Sequence, residues 1–529
     1  MNGIYQCTKD YPIVETKQGK IRGYVYDGVF NFLGIKYAKA KRFQMPEEPD
    51  SWEGVKDALA YGLICPILVP PVPGEEVVCP HRFWPESEHC QNLNVWTDSI
   101  DPAAKKPVMV WFHGGGYSTG SAIEHVAYEG DRLAKYDDVV LVSVNHRLNA
   151  FGHLDLSMYG EKYKNSVNVG IADLVASLKW VKENIAAFGG DPENVTIFGQ
   201  SGGGGKVTTL GQTPDADGLF QKAIVMSGVM AYIAGRKNLE PDPKEYAQEL
   251  LRQLQIPEEE VESLEKVPYK LFIRAINKTS RKFEAEGKRI NWAPHQNYWY
   301  AGDPMQVGFR EHYLQIPTIV GTTLGEFYRE GTIDHKEDVP VSEREKAVYE
   351  KYGEENGKKV LELFRAAYPG KNELYALDVD VVARPASGDY VREKASAGKA
   401  PVYAYLFATC FGHDGGRAPW HCADIPFFFH NTDRIPYTQS IDFTERLQKE
   451  MVDSFVNFAK CGVPSSELLP EWPASTKEDL ATMVFDEKSE VRVNYDDELT
   501  KLIDEISPKF AFNFVTPDED EESDRKWAY

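Results

Sequence analysis

The sequence predicts an α/β protein built on a mostly parallel sheet that is buried on both faces. Three observations carry this reading. Short, continuous apolar runs recur along the chain, each followed by a loop and a stretch of helical periodicity, as a parallel sheet covered by helices requires. One strongly periodic helix lies between two of these runs, at the spacing of a βαβ crossover. A third run, VTIF, ends on a serine surrounded by glycines, in GQSGGGG.

The runs are 107–112 (PVMVWF), 139–144 (VVLVSV), 195–198 (VTIF), 222–226 (KAIVM), 316–320 (IPTIV) and 402–407 (VYAYLF). Between the second and third, Ile171, Leu174, Val175, Leu178, Val181 and Ile185 follow the 3.6-residue period of a helix, and Gly189, Gly190 and Pro192 stop it. From about 236 to 290 and from about 334 to 367 the sequence turns charged and helix-forming. These stretches are expected to be excursions from the sheet that cap or wall a site. No repeat and no Gly/Ser linker divides the chain, so one domain is expected over 1–515, followed by an acidic tail at 516–529.

Composition narrows the function classes. The 529 residues hold 59 Lys+Arg against 81 Asp+Glu, a formal net charge of -22, with no basic cluster to hold a polyanion. Nucleic acid is an unlikely partner on that balance, and neutral or cationic small molecules are favoured. No apolar run approaches the roughly 18 residues of a membrane span. The first residues lack the basic and apolar segments of a leader, so a cytoplasmic chain is expected. The seven cysteines, an odd number, do not read as a disulfide framework. Cys65 and Cys90 bracket a proline-rich loop and leave one bridge open, although reduced thiols are the expectation.

Glycine weakens strands and helices by roughly 0.5–1 kcal/mol per interior position relative to alanine, so the cluster around Ser201 needs a reason. Gly199-Gln200-Ser201-Gly202-Gly203 fits G-x-S-x-G, in which a nucleophilic serine sits on a tight strand-to-helix turn that only small neighbours allow. The Gly202 amide then opens a helix and points at developing negative charge. No P-loop spacing of Lys and Ser/Thr accompanies the glycines, which argues against a phosphate cradle. Gly114, Gly115 and Gly116, directly after the run 107–112, offer further amides for an oxyanion hole. The carboxylate and base should follow in chain order. Glu326 stands just beyond 316–320, at the carboxyl end of a strand. His413, His421 and His430 all follow 402–407, and the sequence context alone does not choose among them.

The motifs FLGIKYAKAKRF, SEHCQNLNVW, VNHRLNAFG, WVKENIAAFGGDPENVTIFGQSGG, GLFQKAIVMSG, HCADIPFFF and FVNFAKCGVPSSELLPEWP resemble the type B carboxylesterases, the family of para-nitrobenzyl esterases, mammalian carboxylesterases and cholinesterases. The resemblance runs from about residue 14 to 494. It implies the α/β-hydrolase fold and hydrolysis of carboxylic esters through an acyl-enzyme, with neither metal nor organic cofactor. It places the nucleophile on Ser201, the acid of a G-x-x-x-x-E segment on Glu326, and the histidine of H-x-x-D-[IL]-P-F on His421, leaving His413 and His430 structural. It places the oxyanion amides on Gly115, Gly116 and Gly202, and on Ser227 a serine that supports the acid. A silent binding protein on the same fold, and amide, carbamate or lactone hydrolysis, are the alternatives; oligomeric state is open.

Several residues depart from the family pattern. Gln200 and Gly202 stand where the family usually has Glu and Ala. An amide at 200 places one anionic charge fewer beside His421, which disfavours the imidazolium relative to Glu-bearing relatives. SEHC replaces SEDC, and the segment after Tyr37 is short. In INWAPHQNYWYAGDP, the aromatic side chains Trp292, His295, Tyr298, Trp299 and Tyr300 replace a P-V-V-D-G-like segment. They are expected to line an acyl or alcohol pocket for hydrophobic or aromatic esters.

Overall fold

The computed structural model describes residues 4–68, 81–229, 240–327 and 333–507. Among these, twelve strands form one sheet: β1 (Tyr5–Gln6), β2 (Tyr24–Tyr26), β3 (Val29–Lys36), β4 (Asn92–Thr97), β5 (Lys106–Phe112), β6 (Val140–Asn145), β7 (Gly190–Gln200), β8 (Lys222–Met226), β9 (Thr318–Thr323), β10 (Val402–Phe407), β11 (Ala481–Phe485) and β12 (Glu490–Val493). Their spatial order is β1-β2-β3-β4-β6-β5-β7-β8-β9-β10-β11-β12. The strands from β6 to β11 in that order are mutually parallel. Antiparallel pairs finish both edges. A separate three-stranded sheet is made by Ile13–Thr16, Gly19–Arg22 and Val55–Asp57.

The central strands read as unbroken apolar runs because each contributes to two cores. Val108, Val110 and Phe112 of β5 face one way and pack with Ile171, Leu174 and Leu178 of α1 (Val169–Asn184). Met109 and Trp111 face the other way, into a layer with Phe198, Phe428 and Phe455. Successive side chains of a strand point to opposite faces, so β5 has no polar-out position to spare. Arg147 pins the loop after β6 onto α1: its Nη2 lies 2.7 Å from Asp173 Oδ1 and its Nε 2.8 Å from Oδ2, with both side chains buried.

The six expected strands are β5 to β10, with adjusted ends. β9 begins at Thr318 rather than Ile316, because Pro317 has no amide to give the ladder. β7 starts early, at Gly190, across a register shift before Val195. After α1 a short turn runs to Gly189, whose φ of 78° is the left-handed value that ends helices. The charged stretches hold α3 (Pro243–Leu254) and α4 (Tyr269–Ala285), which share a core with Phe151, and α5 (Val341–Tyr352) and α6 (Glu354–Ala367), which share another with Leu406. α2 (Gly202–Gly211) follows β7 directly. Cys65 and Cys90 are buried free thiols. Cys79 and the acidic tail lie outside the described residues.

Candidate active site

The site is assembled at the carboxyl ends of β5, β7 and β9 and from the loop after β10, around a cavity of about 1380 Å³. Ser201 stands at the junction of β7 and α2 with φ 58° and ψ −127°, a conformation that a side chain adopts only when its surroundings enforce it. Its amide donates to the Met226 carbonyl at 2.8 Å, which ties the turn to β8. The glycines around it have no room for a side chain. A Cβ on Gly199 would meet the Gly203 carbonyl carbon at 2.4 Å, one on Gly203 would meet Phe112 O at 2.0 Å, and one on Gly202 would meet Gly116 O at 2.2 Å. The glycine cluster thus lets the turn, the end of β5 and the loop at Gly116 touch backbone to backbone.

Gly115 and Gly116 both have positive φ, 80° and 62°, in the loop that leaves β5. With Gly202 they line the cavity beside Ser201. Among the described residues, no protein acceptor takes the amides of Gly115 and Gly116.

Glu326 is buried just beyond β9, and each of its oxygens is engaged. Oε1 accepts from Ser227 Oγ at 2.5 Å and from the Thr323 amide at 2.8 Å. Oε2 accepts from His421 Nδ1 in a short contact. The His421 amide also donates to the Glu326 carbonyl at 2.9 Å. Ser227 reaches the acid from a strained position, φ 48°, held by the hydrogen bond its amide donates to the Gly321 carbonyl at 2.7 Å. Two further buried carboxyls stand near Glu326. Burial, with the Glu326 charge adding to it, pushes Asp380 up to about 7 and Asp424 up to about 6.

With Nδ1–H committed to Glu326, His421 Nε2 is an acceptor. It receives the Gln200 amide at 3.2 Å, while Gln200 Oε1 accepts from Cys422 Sγ at 3.2 Å. The donating thiol keeps the amide oxygen toward sulfur and the NH2 toward the ring. Among the described residues, Ser201 Oγ makes no hydrogen bond to another protein group.

The other expectations separate at this point. His430 pairs with Asp137 at 3.0 Å, away from the cavity, and His413 lies on a short turn. Of the aromatic segment, Trp292, His295 and Tyr300 line the cavity. Tyr298 and Trp299 do not. Tyr298 is 64% exposed, and Trp299 is buried with its indole N–H on Asp215 at 2.8 Å, so their direction differs from the one expected. Phe327, tilted against the His421 ring with centroids 4.1 Å apart, and Cys422 and Glu124 also face the cavity and were not singled out by the sequence. Phe327 is the direct neighbour of Glu326, the one signal that could have found it.

Comparison with known proteins gives the same picture along most of the chain. The model of the carboxylesterase family matches residues 10–502. The para-nitrobenzyl esterase of Bacillus subtilis strain 168 is 33% identical over 501 residues, 93% of this chain and 98% of its own length. The phenmedipham hydrolase of Pseudarthrobacter oxydans is 29% identical over 91% of this chain and 96% of its own. A solved esterase from the anaerobe Clostridium hathewayi, which can hydrolyse aliphatic aromatic polyesters, superposes with a TM-score of 0.91 at 45% identity, covering 95% of this chain and all of its own. A mostly parallel sheet with a serine-bearing turn, matched in sequence and structure over more than nine-tenths of the chain, leaves one assignment: the chain belongs to the carboxylesterase family, has the α/β-hydrolase fold and is an ester hydrolase.

Proposed function

We propose that the protein hydrolyses carboxylic esters through Ser201, His421 and Glu326. The carrying observation is the hydrogen-bonded chain Ser227–Glu326–His421, whose imidazole is held by Nδ1 on Glu326 and turns Nε2 to Gln200 at the cavity beside the strained Ser201. His421 Nε2 takes the proton of Ser201 Oγ as the oxygen attacks the ester carbonyl. Glu326 holds the ring by Nδ1 and stabilises the imidazolium that forms. The carbonyl oxygen, now anionic, accepts from the amides of Gly115, Gly116 and Gly202. The imidazolium then gives its proton to the departing alcohol. Water repeats the sequence on the acyl-enzyme and releases the acid and the free serine.

The substrates proposed are hydrophobic esters with an aromatic or aliphatic-aromatic part. Trp84, Trp292, Tyr300 and Phe327 supply flat apolar wall to the cavity, and the activity of the C. hathewayi relative on aliphatic aromatic polyesters points the same way. A panel of p-nitrophenyl acetate, butyrate, octanoate and benzoate, turned over by wild type and by Ser201→Ala, tests both parts. Turnover should vanish in the variant, and the benzoate and longer aliphatic esters should have the higher kcat/KM. Retained turnover in Ser201→Ala refutes the nucleophile; a profile favouring acetate refutes the pocket reading.

A further inference from the structure

Beneath the loop that carries Gly115 and Gly116 lies a buried polar cluster that the proposed mechanism does not use. Lys206, on the first turns of α2 five residues after Ser201, is fully buried, and its Nζ donates to the His113 carbonyl at 2.8 Å. That carbonyl belongs to the peptide joining the end of β5 to Gly114, so the ammonium holds the root of the glycine loop. A buried lysine is costly to keep charged, so the hydrogen bond it makes here is a feature the fold sustains at some expense.

We propose that Lys206 is a positioning residue for ester hydrolysis: its ammonium fixes the His113–Gly114 peptide and so aims the amides of Gly115 and Gly116 at the oxyanion. The proposal rests on the reading of those amides as an oxyanion hole, and it deepens that reading. Four titratable groups face Lys206. His113 comes from the end of β5, His146 from the end of β6, and His153 from the short helix Asn149–His153. Glu124 comes from the loop after Gly120 and lines the cavity. Each histidine ring turns Nδ1 to a backbone carbonyl, at 2.9, 2.8 and 2.9 Å in that order. Burial holds His113 and His146 well below the usual histidine range and takes His153 down to about 3, so all three are neutral. Glu124 is then the acidic group that faces Lys206 within the cluster.

Burial of the ammonium makes the contact sensitive to pH. Burial lowers Lys206 to about 7, with Glu124 partly opposing it, and burial raises Glu124 to about 7. As pH rises through that value the ammonium is lost and its hold on the His113 carbonyl weakens, so kcat should fall on the alkaline side. A merely space-filling lysine would give no such limb.

The test uses the full-length enzyme and the variants Lys206→Met, which keeps the volume and removes the charge and donor, and Lys206→Gln, which keeps a donor. Expected for Lys206→Met is a loss of kcat on p-nitrophenyl butyrate of about 10- to 100-fold, somewhat less than deletion of an oxyanion donor. KM should stay within about twofold, and binding of a trifluoromethyl ketone, whose adduct places an oxyanion in the hole, should weaken in parallel. The neutral-pH alkaline limb should disappear, and Lys206→Gln should recover part of the loss. Glu124→Gln removes the carboxylate that favours the ammonium, so it should move the limb to lower pH; this variant decides the matter if Lys206→Met does not fold. Unchanged kcat and ketone affinity in Lys206→Met, or an unmoved limb in Glu124→Gln, overturns the proposal. The crystal structure of Lys206→Met gives a readout independent of turnover. A displaced 114–116 backbone supports the positioning role even where the reading of Ser201 fails, and an unmoved one refutes it.

Discussion

Replacing Gln200 by glutamate should shift the acidic limb of the pH–kcat/KM profile upward. Gln200 Nε2 lies 3.2 Å from His421 Nε2 and the side chain is buried. A carboxylate there would put a unit charge about 4 Å from the imidazolium. Their attraction is about 1 kcal/mol at the dielectric constant of water and about 4 kcal/mol at an effective value near 20. At 1.36 kcal/mol per unit, the limb moves up by about 1 to 3 pH units. The sign follows from which form is favoured: a neighbouring anion stabilises the protonated ring, so a higher pH is needed to free the base. Initial rates on p-nitrophenyl butyrate at subsaturating concentration from pH 4 to 9 give the limb directly. Gln200→Ala is the control for loss of the amide without added charge. A limb that stays in place in Gln200→Glu would refute the reasoning, because it would mean that residue 200 does not face the titrating group.

Three further outcomes follow from the geometry. Gly202→Ala would set a Cβ 2.2 Å from Gly116 O, so the loop must retreat; kcat should fall by about 100-fold or more, comparable to loss of an oxyanion donor, and the backbone clash should cost about 1–3 kcal/mol of stability. Ser227→Ala removes a 2.5 Å hydrogen bond to the charged Glu326, and about 1.5–3 kcal/mol of lost support should lower kcat by about 10- to 100-fold without raising KM. Asp173→Ala leaves the buried Arg147 without its carboxylate and should cost about 3–5 kcal/mol of stability, read by urea denaturation.

The parts of the molecule that were legible in the sequence are those with local signals. β5 to β10 announce themselves because strands buried on both faces are apolar at every position, and α1 because its stripe is long and well stopped. The glycines around Ser201 are legible for a different reason: each leaves out a Cβ that the turn has no room for. The antiparallel edges were not legible. β2 spans only Tyr24–Tyr26, and β12, with no fully buried residue, carries no alternation strong enough to mark it. Choosing His421 over His413 and His430 needed the family resemblance, since all three follow the same strand and proximity to Glu326 is a tertiary fact. The bond between Cys422 and Gln200 joins residues 222 apart, and the one from Lys206 to His113 joins residues 93 apart, so neither leaves a trace in local pattern. Tyr298 and Trp299 show the opposite error. Aromatic composition marked the segment, but the direction of each side chain was set by neighbours such as Asp215.

The central claim, that Ser201 is made nucleophilic by His421 and Glu326, is tested most directly by intact-mass measurement after incubation with an organophosphate. Wild type should gain the mass of one phosphoryl group, with the adduct mapped to Ser201 by peptide analysis. Ser201→Ala should gain none, and His421→Ala should label far more slowly. An unlabelled wild type, or an adduct on any other residue, would contradict the claim.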